Sequence, residues 1–306
     1  MVLAFVLGFV AVLVKSDLKL PSGLYTSISI YLLFAIGLKG GVALSQSNLS
    51  TLALPVLATL ALSVITPTLA YFVCRKIGNL GRVDSSALAA HYGSVSAVTF
   101  IAAITFAQLQ NLNPEGYLPA LVAILEIPAI LFAIGMVMKK EGNKDLRPMI
   151  HELLTGKAII LLVGGLLIGW ISGPEQIKQV QPLFGDLFKG ALTIFLLEMG
   201  LVAGARIADL KESKAFLIGM GILLPIVNGA LGAYLGTLAG MSVGGAGVLG
   251  VMAASASYIA APAAVRIALP EAKPGLYLTA AIAITFPFNL VLGIPIVFEF
   301  AKWFAK

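Results

Sequence analysis

Four serines in two pairs carry the chemistry that stands out in this chain. Gly93-Ser94-Val95-Ser96 and Ala254-Ser255-Ala256-Ser257 each interrupt a long apolar stretch, about half a chain apart. Polar interruptions at corresponding points of two membrane repeats are the best sequence pointer to a transporter's substrate site. If each apolar helix is broken at its serines, two half-helix amino ends face one another. Each end carries roughly half a positive charge and several backbone N–H groups with no helical partner. Together they make a site for a small anion without a buried arginine. The hydroxyls of Ser94, Ser96, Ser255 and Ser257 add donors, and Thr99 lies one turn further on. Hydroxyls also accept, so a protonated oxygen on the ligand fits. Unwound carbonyls at the same break hold a cation such as sodium. Against this stands the reading that membrane serines bond the preceding turn or a neighbouring helix. That accounts for single serines better than for symmetric Ser-x-Ser pairs.

Glu126 lies mid-span in Ile124-Leu125-Glu126-Ile127-Pro128. An ionised acid at that depth costs at least ~2.5–3.5 kcal/mol, so it needs a partner or a proton. It reads as a cation ligand or protonation site, or else as a buried protonated acid bonded to a neighbouring helix. Its counterpart in the second half is Thr285, just before Pro287. Glu198 reads as a structural partner of Arg206, and Asn228 and Asn289 as bonds between helices. His91 stands alone and His151 falls in a connector. No His-Glu-x-x-His, Walker A or Gly-x-Ser-x-Gly sequence is present, and no nucleophile is paired with a base, so an enzyme is not expected.

The elements that must position these residues are membrane helices. The chain is 59% hydrophobic and 11% charged, against about 25% charged residues in a soluble domain. Apolar runs near the ~20 residues of a bilayer crossing fall at about 1–15, 21–38, 51–74, 84–110, 117–138, 157–172, 183–202, 215–240, 244–266 and 275–303. Fifteen of the 20 Lys and Arg residues gather on one side of these spans, at 15, 19, 75, 76, 82, 139, 140, 144, 147, 157, 206, 211, 214, 266 and 273. Lys39, Lys178, Lys189, Lys302 and Lys306 fall on the other. Basic residues favour the cytoplasm, so both termini are expected outside, in a bacterial inner membrane. The net charge of +6 is thus a topology signal, not a nucleic-acid footprint. Cys74 is the only cysteine, which rules out an intrachain disulfide.

The stretch 139–156 divides the chain into two five-span halves, 1–138 and 157–306. Ile36-Gly37-Leu38-Lys39-Gly40-Gly41 matches Met199-Gly200-Leu201-Val202-Ala203-Gly204, and Tyr71 falls at the offset of Tyr234. Ser94 and Ser96 pair with Ser255 and Ser257; Gly116 and Pro128 pair with Gly275 and Pro287. Five spans per repeat is odd, so the second half enters the membrane with opposite polarity. The expected fold is an all-α membrane protein of ten helices, a five-plus-five inverted repeat with two discontinuous helices crossing near the midplane.

Several of these motifs resemble the sodium-dependent bicarbonate transporters of cyanobacteria. They are Gly37-Leu38-Lys39-Gly40-Gly41 followed by Ser47-Asn48-Leu49, the Gly93-Ser94-Val95-Ser96 break, Glu126-Ile127-Pro128-Ala129, and Ala253-Ala254-Ser255-Ala256-Ser257 with Pro262 and Arg266. The likeness runs over nearly the whole chain, in order. It implies an architecture related to bile-acid and sodium/proton transporters, with a core of spans 3–5 and 8–10 moving against a gate of spans 1, 2, 6 and 7. It also implies a homotrimer, bicarbonate held between the broken helices, and no cofactor beyond sodium as coupling ion. Two departures stand out. An aspartate of the family's sodium site is here Tyr258, while the acid before Ile127-Pro128 is kept in kind as Glu126. The family's cytoplasmic face binds a PII-like regulatory protein, and the connector here is short. The expected function is therefore cation-coupled uptake of bicarbonate or another small monocarboxylate. Gly93, Ser94, Val95, Ser96, Ala254, Ser255, Ala256 and Ser257 would line the substrate, and Glu126, Thr99, Tyr258 and Thr285 would serve the cation, sodium or a proton. The alternatives are a larger organic anion, for which the Ala-rich second break leaves room, and an anion receptor that does not transport.

Overall fold

The computed structural model describes residues 2–46, 49–138, 147–205 and 215–306. Ser47 and Asn48, Lys139, Lys140 and Lys144, and Arg206, Lys211 and Lys214 lie outside the described residues. Every element among the described residues is helical: α1 (Val2–Leu13), α2 (Ser22–Ser45), α3 (Ala53–Lys76), α4 (Arg82–Gly93), α5 (Ala97–Leu109), α6 (Leu118–Met138), α7 (Arg147–Leu154), α8 (Lys157–Ile177), α9 (Phe188–Ala205), α10 (Ala215–Leu238), α11 (Val243–Ala254), α12 (Ala260–Ala268) and the long span α13 (Pro274–Phe304). Eight segments among the described residues are long and apolar enough to cross a membrane; α4 and α5 together form one of them. Shorter apolar helices cover Leu3–Leu13 and Val243–Ala254. This is a multi-pass membrane protein.

Apolar stripes on its outer faces meet lipid rather than water. Leu54, Leu57, Leu60 and Val64 are exposed along α3, as are Leu223, Val227 and Leu238 along α10. A helix in lipid gains nothing by hiding such residues, so association rests on close packing instead. Small residues supply it. A Cβ on Gly200 of α9 would sit 2.0 Å from the Phe5 carbonyl oxygen of α1, and one on Gly41 of α2 would sit 2.0 Å from the Leu166 carbonyl oxygen of α8. Accordingly α1 packs on α9 and α2 on α8.

The remaining spans form a second body. There α3 packs on α4 and α6, and α4 on α6; α10 packs on α11 and α13, and α11 on α13. The amino-terminal half of each broken helix crosses the carboxyl-terminal half of the other, α11 on α5 and α4 on α12. The α4–α5 span is the most buried of the eight.

Some boundaries differ from those read in the sequence. The second span continues past residue 38 through its Gly-rich end to Ser45, the extension its sequence allowed, with Gly40 and Gly41 continuing the packing face. The sixth continues past residue 172 to Ile177, bending where Gly173 takes φ 67° ahead of Pro174. The last span holds two π-helical stretches, Thr279–Thr285 and Asn289–Gly293. Each widened turn adds a residue without shifting the faces beyond it, as bulges at functional sites often do.

Candidate functional site

Both serine pairs sit in helix breaks. α4 ends at Gly93, Ser94 is extended (φ −107°, ψ 163°), and α5 restarts at Ala97 with Ser96 as its cap. α11 ends at Ala254, Ser255 is extended (φ −83°, ψ 166°), and α12 restarts only at Ala260. The second break is therefore the longer one. Glycine at 93 has a packing reason: a Cβ there would come within 2.8 Å of the buried Pro67 ring. All eight residues of the two tetrapeptides are buried.

Reciprocal hydrogen bonds join the breaks. The Ser96 amide donates to Ser255 Oγ at 2.9 Å, and the Ser257 amide donates to the His91 carbonyl at 2.8 Å. Asn289 Nδ2 donates to the Ala254 carbonyl at 2.9 Å, filling an acceptor at the end of α11.

The four hydroxyls are not equivalent. Ser94 Oγ donates back to the Ala90 carbonyl at 2.7 Å, and Ser255 Oγ to the Met252 carbonyl at 2.8 Å. Those two protons serve their own helices, as ordinary membrane serines do. Ser96 Oγ instead accepts from the Thr99 amide at 3.3 Å and from Thr99 Oγ1 at 3.0 Å. Ser257 Oγ accepts from the Ala261 amide at 3.3 Å. Neither Ser96 nor Ser257 spends its O–H on its own helix; the Ser96 hydroxyl faces that of Tyr258, and the Ser257 proton has no acceptor among the described residues. The backbone amides of Ala97, Val98 and Ala260 have no acceptor among the described residues. These donors belong to the first turns of α5 and α12, where the helix dipole favours negative charge.

The cation candidates divide. Thr99 is bound to Ser96 at the break. Thr285 lies deeper and is fully engaged, donating to the Gly221 carbonyl at 2.8 Å and meeting the Tyr92 hydroxyl at 2.7 Å. Glu126 is buried on α6 with no hydrogen bond among the described residues. Tyr258 follows the second pair directly. Its ring meets Phe286 edge-on with centroids 5.5 Å apart, and its hydroxyl points to the Met199 sulfur on α9 at 3.6 Å. A cavity of about 400 Å³ reaches the break at this residue.

Some contributors escape a sequence reading. His91, alone in the sequence, supplies the carbonyl that holds Ser257, and its ring stacks on Tyr277 at 4.4 Å. Glu115 accepts from the Ser242 amide at 2.6 Å at the start of α11, and Asp84 near the start of α4 accepts from the Lys273 amide at 2.9 Å. The usable signal was that each acid sits at the edge of an apolar run beside a helix start. Glu198 has a buried carboxylate oxygen with no partner among the described residues, and Asn228 is buried with both polar atoms unpartnered. Arg206, the partner read for Glu198, lies outside the described residues.

The family model of the Na+-dependent bicarbonate transporter superfamily matches residues 1–302. The chain belongs to this superfamily. None of the curated proteins searched matches it. The match runs through both breaks.

Proposed function

We propose that this protein takes up bicarbonate together with a cation, sodium restoring the charge balance, through alternating access at the two crossed breaks. The observation that carries this reading is the reciprocal pair of bonds from Ser96 to Ser255 and from Ser257 to His91. They hold two helix amino ends, the hydroxyls of Ser96 and Ser257 and three free amides at one place. That donor set, without a fixed cation, suits a small monovalent oxyanion.

Ten crossings in a five-plus-five inverted repeat are part of the same proposal. Its support is that the packing pairs exchange correctly between halves. The α1–α9 contact maps onto α8–α2, α3–α4 onto α10–α11, α4–α6 onto α11–α13, and α5–α11 onto α12–α4. The pairing of α1 and α2 with α9 and α8, apart from the body built on α3 and α10, supports a gate and a core that move against each other.

Coupling follows from energetics. Carrying one monovalent anion into a cell at about −100 mV costs ~2.3 kcal/mol. One sodium ion moving with it removes that electrical cost, and a tenfold sodium gradient adds about 1.4 kcal/mol of drive. Sodium is the ion the superfamily's description carries. Thr99, the unwound carbonyls and Glu126 are the residues we assign to it, with Tyr258 closing the site in place of a ligand. Glu126 carrying a proton is the second coupling route.

Equilibrium binding of labelled bicarbonate to the purified protein tests the reading. Saturable binding strengthened by sodium is expected. Binding of bicarbonate with no flux in liposomes would favour a receptor instead. No binding of bicarbonate, but binding of a larger carboxylate, would reassign the substrate.

A further inference from the structure

Two cavities flank α2 and α9 at opposite ends. The larger, about 400 Å³, is lined by Tyr25, Met199, Val202, Tyr258, Ala263 and Arg266, among others. The smaller, about 210 Å³, is lined by Ile36, Lys39, Ile104, Gln108, Glu115 and Phe188, among others. Tyr25 and Lys39 are both on α2, and their separation corresponds to about 21 Å along a helix.

The linings correspond through the repeat. Tyr25, Met199 and Val202 occupy the places of Phe188, Ile36 and Lys39, each offset by 163 residues, and Ala263 that of Ile104, offset by 159. Each cavity also carries one basic side chain, but from opposite walls: Lys39 from α2 and Arg266 from α12. Both are exposed. Neither makes an ion pair among the described residues. Lys39 Nζ lies 4.5 Å from the Phe188 ring centroid, which fixes the charge at the cavity wall. Asp186 and Lys189 act on it electrostatically from nearby, with opposite signs. Glu115 shares the smaller cavity. Its carboxylate is bound to the Ser242 amide and lies against Gly245, so the amino end of α11 offsets part of its charge. No acid lines the larger cavity among the described residues.

A cation is absent from the crossing itself, where helix ends supply the attraction. Placed in the approaches, it raises the local anion concentration without binding the substrate so tightly that release slows. We infer that Arg266 and Lys39 are anion-recruiting residues, one for each approach to the crossing, and that they enrich anions over cations before the site is reached. Their purpose rests on the transport reading above; the local potential they create does not.

Ile104→Cys and Ala263→Cys each place a thiol in one cavity, while the native Cys74 is buried. The rate of modification by an anionic methanethiosulfonate, relative to a cationic one of similar size, reports the potential at each thiol. In low salt, Arg266→Gln should lower that ratio for A263C about tenfold. Lys39→Gln should lower it for I104C about fivefold, less because Glu115 shares the cavity. Each neutralisation should leave the opposite cavity's ratio within about twofold, and Lys39→Arg should restore the ratio at I104C. Unchanged ratios, or thiols that react with neither reagent, would overturn the inference. Bicarbonate flux is measured on the same variants. No flux from the wild type with the expected ratio changes would overturn the transport reading and leave recruitment standing. Normal flux with unchanged ratios would overturn recruitment alone.

Discussion

Which way a hydroxyl proton points decides what each serine does. Ser96 and Ser257 spend no proton on their own helices, the Ser96 hydroxyl facing that of Tyr258, while Ser94 and Ser255 donate to theirs. Hydrogen bonds to a charged partner contribute about 1.5–3 kcal/mol. Ser96→Ala and Ser257→Ala should therefore each lower transport efficiency by roughly 10- to 150-fold. Ser94→Ala should cost less than either, because its hydroxyl already serves the Ala90 carbonyl. Initial uptake rates normalised to folded protein would check the order; a Ser94→Ala loss larger than both others would refute it. Glu126→Gln tests the acid on α6. A changed dependence of flux on sodium or pH is expected, and an unchanged one would make Glu126 structural. The serine pairs were legible because polar residues stand out in apolar sequence. The difference among the four was not, since a serine bonded to its own turn and a serine left free look alike in a sequence. Tyr258 was legible as a departure from the family, but its reach to Met199 depends on how α9 packs.

At the scale of elements, two carboxylate contacts near helix starts join the two halves of the chain. Glu115 engages the start of α11, and Asp84 near the start of α4 engages the loop ahead of α13. Each ties one half of the chain to the other. Losing a charged partner of this kind typically costs ~1–2 kcal/mol, or a shift of about 2–4 °C in a protein of this size. Glu115→Ala should thus lower the melting temperature in detergent by a few degrees, and Glu115→Gln by less. No shift for Glu115→Ala would mean the contact contributes nothing. Gly200→Leu should be more damaging, because the α1–α9 contact has no room for a Cβ beside the Phe5 carbonyl. Overpacking costs ~1–3 kcal/mol where the structure can relax, and more where backbone blocks it. A monodisperse variant with wild-type melting would contradict that packing. The spans were legible from apolar runs, and their ends less so. Gly40 and Gly41 left the end of the second span open in the sequence and extend the helix to Ser45, since small residues in membranes mark packing as readily as termination. The π-helical stretches of the last span leave no mark in its hydropathy.

For the whole molecule, two bodies emerge: α1 and α2 packed on α9 and α8, and the bundle around the crossed breaks. The core and gate are what the family resemblance implies; which helix packs on which is not written in hydropathy. The packing pairs exchange between halves in the pattern on which the proposed inverted repeat rests. The proposed alternating access would reach the site through the two cavities at opposite ends of α2 and α9. The account's central claim is that the paired breaks bind bicarbonate and that sodium drives its uptake. The measurement that tests it most directly is uptake of labelled bicarbonate into proteoliposomes, with and without an inward sodium gradient, for the wild type and for S96A/S257A side by side. The account predicts accumulation by the wild type only with the gradient, and none by the double variant when both proteins are equally folded. Wild-type accumulation that ignores sodium, or full accumulation by the double variant, would contradict it.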